Sequence, residues 1–139
     1  MFGVSRRRVR VVRRRRSRRP RPWPVVVKKH YAEHKEAARD LCHERLAHYN
    51  QHYSLHFNRV AIRNTRSRWG SCSSKKNLNF NYRILFLEPA LQDYLIVHEL
   101  CHLQEMNHAP QFWALVAQQV PDYKQKIKQL RAAEKEFFR

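Results

Sequence analysis

The pattern of hydrophobic and polar positions predicts a long helix and then strands in the first part of the chain. Residues 30–53 contain neither glycine nor proline, and their apolar positions recur at helical spacing, which predicts about six turns. The segment 59–63 then alternates apolar and polar residues, and the segment 77–82 alternates strictly. Alternation with period two indicates half-buried strands. With a turn over 69–76, we expect a small antiparallel sheet of about three strands.

The remainder of the chain predicts three helices. Pro89 suits the first turn of a helix that should run to about Met106, and Asn107 suits a left-handed C-cap. A second helix is predicted over 110–120, and a mostly polar last helix over 122–138. Helices and strands in separate parts of the chain indicate an α+β fold.

The charge of the chain is concentrated at its start. The formal net charge is +18, yet residues 1–29 hold 13 Lys or Arg and no acid, which leaves 16 basic and 11 acidic residues elsewhere. We expect residues 1–24 to form a disordered basic arm, because like charges repel and three prolines oppose a helix. Residues 25–139 then form one domain. The arm either keeps the protein in solution or contacts nucleic acid or another polyanion.

Cysteine usage and hydropathy bear on the compartment. The three cysteines are an odd number without a C-x-x-C spacing, so a disulfide framework is not expected. No apolar run approaches the roughly 18–20 residues of a membrane span, and no signal-peptide core follows the arginines. These features favour a cytoplasmic protein without a membrane partner.

The stretch VHELCHLQEMNH carries the strongest chemical signal. Residues four apart on a helix lie one above the other, so His98 and His102 present two imidazoles to the same side. A catalytic zinc ion takes three protein ligands and keeps one open position. His108, just past the helix end, is the preferred third ligand, and Glu105 is the competing one. Core histidines satisfied by hydrogen bonds are the structural alternative, but they leave the cost of burying Glu99 unexplained.

Glu99 lies about 100° around the helix from His98, beside such a metal. In the H-E-x-x-H pattern, a carboxylate at this position activates a zinc-bound water to attack a carbonyl or phosphoryl group. The developing oxyanion then requires a stabilising group. The sequence offers four candidates for that group: Arg68, Tyr82, Arg83 and Tyr94.

Several motifs in order resemble the YgjP-like zinc metallopeptidase family, which is related to the SprT-like minimal zincins. The motifs are TRSRWGSCS at 65–73, NLNFNYR at 77–83, HELCH at 98–102, Asn107-His108 and Phe112-Trp113. The resemblance covers about residues 30–130. It implies a minimal zincin fold, a small sheet packed on the metal-bearing helix, with His98, His102 and His108 as zinc ligands and Glu99 as the base. Longer members carry an additional β-rich segment, where this chain has its arginine arm.

Three functions remain open from the sequence. The first is a zinc metallopeptidase that pairs an extended peptide or protein substrate with a sheet edge, for which the strand 77–82 is the candidate. The second is a nucleoside triphosphate pyrophosphatase that uses the same zinc site and arginine clamps. The third is a nucleic-acid-associated module with a structural metal. The candidate substrate contacts are Arg66, Arg68, Asn79 and Tyr82.

Overall fold

The computed structural model describes residues 23–138. The predicted basic arm, residues 1–24, falls almost entirely outside that range. Within these described residues, four α-helices, three strands and one short 3₁₀ helix follow one another. Their bounds are α1 Val25–Tyr53, β1 Arg59–Arg63, β2 Gly70–Cys72, β3 Asn77–Asn81, the 3₁₀ helix Tyr82–Phe86, α2 Pro89–Cys101, α3 Pro110–Ala117 and α4 Tyr123–Phe137. None of these helices is both long and apolar enough to cross a membrane.

The predicted helices are present, but the end of α2 differs from the prediction. The helix stops at Cys101 instead of about Met106, and His102 is its C-cap. Short-range hydrogen bonds from Leu103 N to Leu100 O (3.1 Å) and from Gln104 N to Cys101 O (3.1 Å) tighten the last turn. Among the described residues only Ser54 and Lys76 have positive φ, so the predicted left-handed cap at Asn107 is wrong. The early stop lets the chain reverse directly after the second histidine.

The sheet has the expected three strands but a mixed topology. The strand order is β1-β3-β2, with β1 parallel to β3 and β2 antiparallel to β3. The prediction of a purely antiparallel sheet is therefore wrong, because the hairpin places β2 on one side of β3 and the chain crosses over to place β1 on the other. The segment 77–82 was the candidate edge, yet β3 is the central strand. The edges are β1 and β2.

The two faces of the sheet differ in character. Leu78 and Phe80 of β3 are fully buried beneath α1 and α2, where Leu46 and Ile96 join the same core. Each such side chain contributes about 1.5–3 kcal/mol when it leaves water. The opposite face is polar and carries Asn79. The core thus holds α2 against the sheet, and this packing places the C-terminal end of α2 beside β2.

Candidate metal centre

Three imidazole rings converge at the C-terminal end of α2. His98 lies on the last turn of the helix, His102 caps it, and His108 comes from the segment that leads into α3. The Nε2 atom of His102 lies 3.1 Å from that of His98 and 3.0 Å from that of His108, and the third separation is 3.3 Å. Within residues 23–138, these three histidines are the group of potential metal ligands that lie close enough together to hold one ion.

The other ring nitrogens of two of these histidines have partners that fix their orientation. The Nδ1 of His102 donates to the backbone oxygen of Glu105 at 3.0 Å, and the Nδ1 of His98 lies 3.0 Å from the hydroxyl of Tyr94. A carbonyl only accepts, so the neutral ring of His102 has its lone pair on Nε2. Such partners on the far nitrogen are typical of metal-binding histidines.

Aromatic side chains of α3 form the wall behind the rings. The His102 ring stacks on Phe112 with centroids 4.4 Å apart, and the His108 ring stacks on Trp113 at 5.6 Å. Trp113 in turn stacks on Tyr123 at 5.0 Å. Pro110 begins α3 and so sets the direction in which Phe112 and Trp113 point. His108, although exposed, is therefore held against a packed surface.

The donor set fits a metal ion. Burial, together with the neighbouring His102 and His108, lowers the pKa of His98 to about 3, and burial also lowers the pKa of His102. Neutral rings with converging lone pairs repel one another unless a cation lies between them. Nitrogens bound tetrahedrally to zinc at about 2.0–2.1 Å lie about 3.3 Å apart, close to the separations of these three Nε2 atoms.

Glu99 is buried beside the histidines and lacks a full set of partners. Its side chain is about 7% exposed, its Oε1 lies 4.0 Å from the Nε2 of His98, and its Oε2 has no hydrogen-bond partner within residues 23–138. Burial raises the pKa of this carboxyl group to about 8. An oxygen atom kept unpaired in a buried position is typical of a site that acts on a ligand.

Gly70 lets strand β2 lie directly over Glu99. A Cβ atom at this position would lie 3.1 Å from the Cγ of Glu99 and 3.0 Å from the backbone oxygen of Asn79. Any larger residue would therefore displace the carboxylate or the strand. Sequence reasoning missed this role, although Gly70 is the only glycine of the predicted domain and so was a signal.

Two of the sequence-based candidates act differently from expectation. Glu105, the competing third ligand, is not part of the group that could hold a metal ion, and its backbone oxygen contacts a member of that group, His102. Tyr94, a candidate for oxyanion stabilisation, directs its hydroxyl to the Nδ1 of His98. Both residues therefore support the imidazoles from behind.

Three further candidates lie away from the histidines. The guanidinium of Arg66 stacks over the ring of Trp23 at 4.1 Å. Tyr82 is buried in the core, and its hydroxyl lies 3.0 Å from the Nδ1 of His30. The Nη1 of Arg83 donates to Asn64 at 3.0 Å.

The last two candidates, Arg68 and Asn79, differ in their position relative to the centre. A cavity of about 290 Å³ above the histidines is lined by Arg68, Gly70 and Cys72 together with Glu99 and His108. Asn79 lies on the far face of the sheet, where its Nδ2 donates to the Oγ of Ser71 at 3.3 Å. Of the four candidate substrate contacts, Arg68 is the one that borders the metal cavity itself.

The fold is similar to that of a solved metallopeptidase. The zymogen of abylysin from Pyrococcus abyssi matches with a TM-score of 0.61 at 21% identity, over 66% of this chain and 93% of abylysin. The zymogen of jannalysin from Methanocaldococcus jannaschii matches with a TM-score of 0.48 at 24% identity, over 66% of this chain and 94% of jannalysin. No curated protein shows significant sequence similarity to the chain.

The family model of the YgjP-like metallopeptidase domain matches residues 8–133. The match spans most of the chain and includes Glu99 and all three converging histidines. The minimal metallopeptidase fold expected from the sequence is confirmed by abylysin. The chain is a peptidase-like hydrolase and belongs to the YgjP-like metallopeptidase family.

Proposed function

We propose that this protein is a zinc-dependent peptidase that hydrolyses peptide bonds in peptides or proteins. The observation that carries the proposal is the convergence of three Nε2 atoms within 3.3 Å of one another, with the carboxyl group of Glu99 beside them. His98, His102 and His108 would hold the ion. When bound, zinc supplies a Lewis acid that polarises a carbonyl oxygen and acidifies water.

Glu99 is the general base of this proposal. Its carboxyl group borders the metal cavity, and one of its oxygens has no hydrogen-bond partner among the described residues, so the carboxylate can accept a proton from the attacking water. The same carboxyl group then returns the proton to the leaving nitrogen. Gly70 and the packed core hold the carboxylate in this position. Correct placement of a catalytic group can raise the reaction rate by orders of magnitude.

The main chain of β2 is suited to hold an extended substrate. In the hairpin, Asn81 N donates to Trp69 O (2.8 Å) and Ser73 N donates to Asn77 O (3.0 Å). Hydrogen-bonded pairs alternate along an antiparallel ladder, so the N–H and C=O groups of Gly70 and Cys72 face away from β3. Both residues border the metal cavity. A peptide added at this edge would pass directly over the histidines.

Replacing Cys72 with proline tests this pairing. Proline removes one outward N–H group and is tolerated at the open side of an edge strand. We expect KM to rise about tenfold, as for one lost hydrogen bond of about 1.4 kcal/mol, with zinc content unchanged. Ser73→Pro is the matched control, because it removes an N–H that bonds to β3 and should instead lower the unfolding temperature. An unchanged KM in Cys72→Pro would exclude β2 as the docking edge.

Two features favour a peptidase over the alternatives. Arg66, one of the two arginine clamps expected of a nucleoside triphosphate pyrophosphatase, stacks on Trp23 away from the histidines. A structural zinc site has four protein ligands, whereas the described residues supply three around an open cavity.

Removal and return of the metal test the proposed function. We expect protein loaded with one equivalent of zinc to cleave an unstructured peptide library, as read by mass spectrometry. A chelator should abolish cleavage, and added zinc should restore it. Release of pyrophosphate from a nucleoside triphosphate without any peptide cleavage would replace the proposal with the nucleotide alternative.

A further inference from the structure

A second groove, on the far face of the sheet, adjoins the metal cavity. It has a volume of about 260 Å³ and is lined by Arg63, Thr65, Arg68, Asn79 and Asn81, with Gly70, Ser71 and the backbone of β3 at its floor. Arg68, Gly70 and Ser71 line both this groove and the metal cavity. The two spaces are therefore neighbours across strand β2, with Arg68 at their boundary.

The groove is positively charged and has no internal counter-charge. Residues 59–83, which include the whole sheet, contain seven Lys or Arg and no Asp or Glu. No acidic side chain within residues 23–138 forms an ion pair with Arg63 or Arg68. The Nε of Arg63 contacts only a neutral acceptor, the Oδ1 of Asn79, at 3.4 Å. Two exposed guanidinium groups thus flank one groove with their charges uncompensated.

The loop that carries Arg68 is held in place from below. Asn81 is about 1% exposed, and its Nδ2 donates to the backbone oxygens of Thr65 (2.9 Å) and Arg68 (3.1 Å). The hydroxyl of Thr65 also donates to the backbone oxygen of Arg68 at 2.8 Å. The backbone on both sides of this arginine is therefore fixed, so less entropy is lost when its guanidinium engages a ligand.

Strand geometry explains how a substrate side chain would reach the groove. Ser71 points to the far face with its partner Asn79, whereas Gly70 lies against Glu99 on the other face. A peptide paired with β2 follows the same alternation. Of the two residues that flank the scissile bond, one therefore directs its side chain toward the face of Glu99 and the other toward the far face. At that face lies the groove that Arg68 and Arg63 line.

We infer that Arg68 and Arg63 form a carboxylate subsite, which makes the enzyme selective for an Asp or Glu next to the scissile bond. The inference rests on the proposed peptidase function and adds its substrate class. A guanidinium group binds a carboxylate with two parallel hydrogen bonds, a geometry that selects this group over a neutral amide. A substrate with Lys or Arg at the same position would be repelled by the two guanidinium groups.

Matched peptides test the inference. After mass spectrometry has located a cleaved bond, peptides with Glu or Gln at each flanking position are compared for kcat/KM. We expect the wild type to favour one Glu peptide by about 10–100-fold, mainly through KM, as for a charged hydrogen bond. Arg68→Gln should remove the preference, Arg63→Gln should reduce it, and high salt should weaken it. Arg68→Glu should instead favour a Lys peptide.

Arg59→Gln is the matched control, because Arg59 is an exposed arginine on β1 outside the groove, and it should keep the wild-type preference. Binding of the Glu and Gln peptides to Glu99→Gln, measured by fluorescence anisotropy, should show the same ratio without turnover. Equal cleavage of both peptides by the wild type would overturn the subsite while leaving the peptidase function intact. An Arg68→Gln variant that keeps the Glu preference but loses affinity for a single-stranded oligonucleotide would also overturn it, because the arginines would then serve a polyanion surface.

Discussion

Replacing Glu99 with glutamine is expected to lower kcat/KM for peptide cleavage by about 10²–10⁴-fold, the usual contribution of a general base. Glutamine has the same shape, so it fits beneath Gly70, but its amide group cannot take a proton from water. The three Nε2 atoms are untouched, so zinc content should stay at about one per chain. Steady-state kinetics and elemental analysis on the same preparation measure both quantities.

Folding and zinc content of the variant distinguish a lost base from other causes of lost activity. The folded state should persist in Glu99→Gln, because the substitution replaces a buried group without a full set of partners by a neutral one. Turnover within twofold of the wild type, with zinc bound, would show that Glu99 is not the base. Loss of zinc from the variant would show that the carboxylate is instead a ligand.

Replacing His108 with alanine is expected to reduce bound zinc from about one equivalent to none after dialysis, and to abolish cleavage. His98 and His102 alone offer two nitrogens, whereas a catalytic zinc site uses three protein ligands. A ligand at a thousandfold excess over its Kd stabilises the folded state by about 4 kcal/mol. Added zinc should therefore raise the unfolding temperature of the wild type and leave that of His108→Ala unchanged.

Glu105→Gln separates the two candidates for the third ligand. The substitution keeps the backbone oxygen that holds His102, so this variant should bind zinc like the wild type. If Glu105→Gln loses zinc and His108→Ala retains it, the third zinc ligand is Glu105 and not His108.

Local spacing made much of the centre predictable from the sequence. His98 and His102 lie together because helical geometry puts residues four apart on one side, whatever the rest of the fold does. The reversal that brings His108 back to the other two rings was predicted from a break at Asn107, although the left-handed cap expected there is absent. The exact end of α2 was not predicted, because no proline or glycine marks it; the helix ends in a local turn in which the Nδ1 of His102 bonds to the backbone oxygen of Glu105, three residues on.

Non-local pairing explains the errors in the sheet. Strand β2 has three residues, Gly70–Cys72, which is too short for an alternation to appear. The parallel partnership of β1 with β3 depends on a crossover that no local pattern encodes. The arginine groove was hidden for the same reason, because Arg63 and Arg68 come from different elements. The prediction thus missed both the true edge strand and the space beside it.

Tyr82 shows an error that the sequence itself could have prevented. Alternation placed it on the same face as Leu78 and Phe80, and that face is the core. A substrate contact would have required the opposite face, where Asn79 and the other asparagines lie. The strand pattern was therefore a better guide to this residue than its chemical type.

The position of the bound metal in a crystal of the zinc-loaded wild type tests the central claim most directly. An anomalous difference map at the zinc absorption edge should show one peak at about 2.0–2.1 Å from the Nε2 atoms of His98, His102 and His108. The side chain of Glu99 should approach the peak without binding it. A map without a peak between these three nitrogens, or with its peak at another set of ligands, would contradict the account.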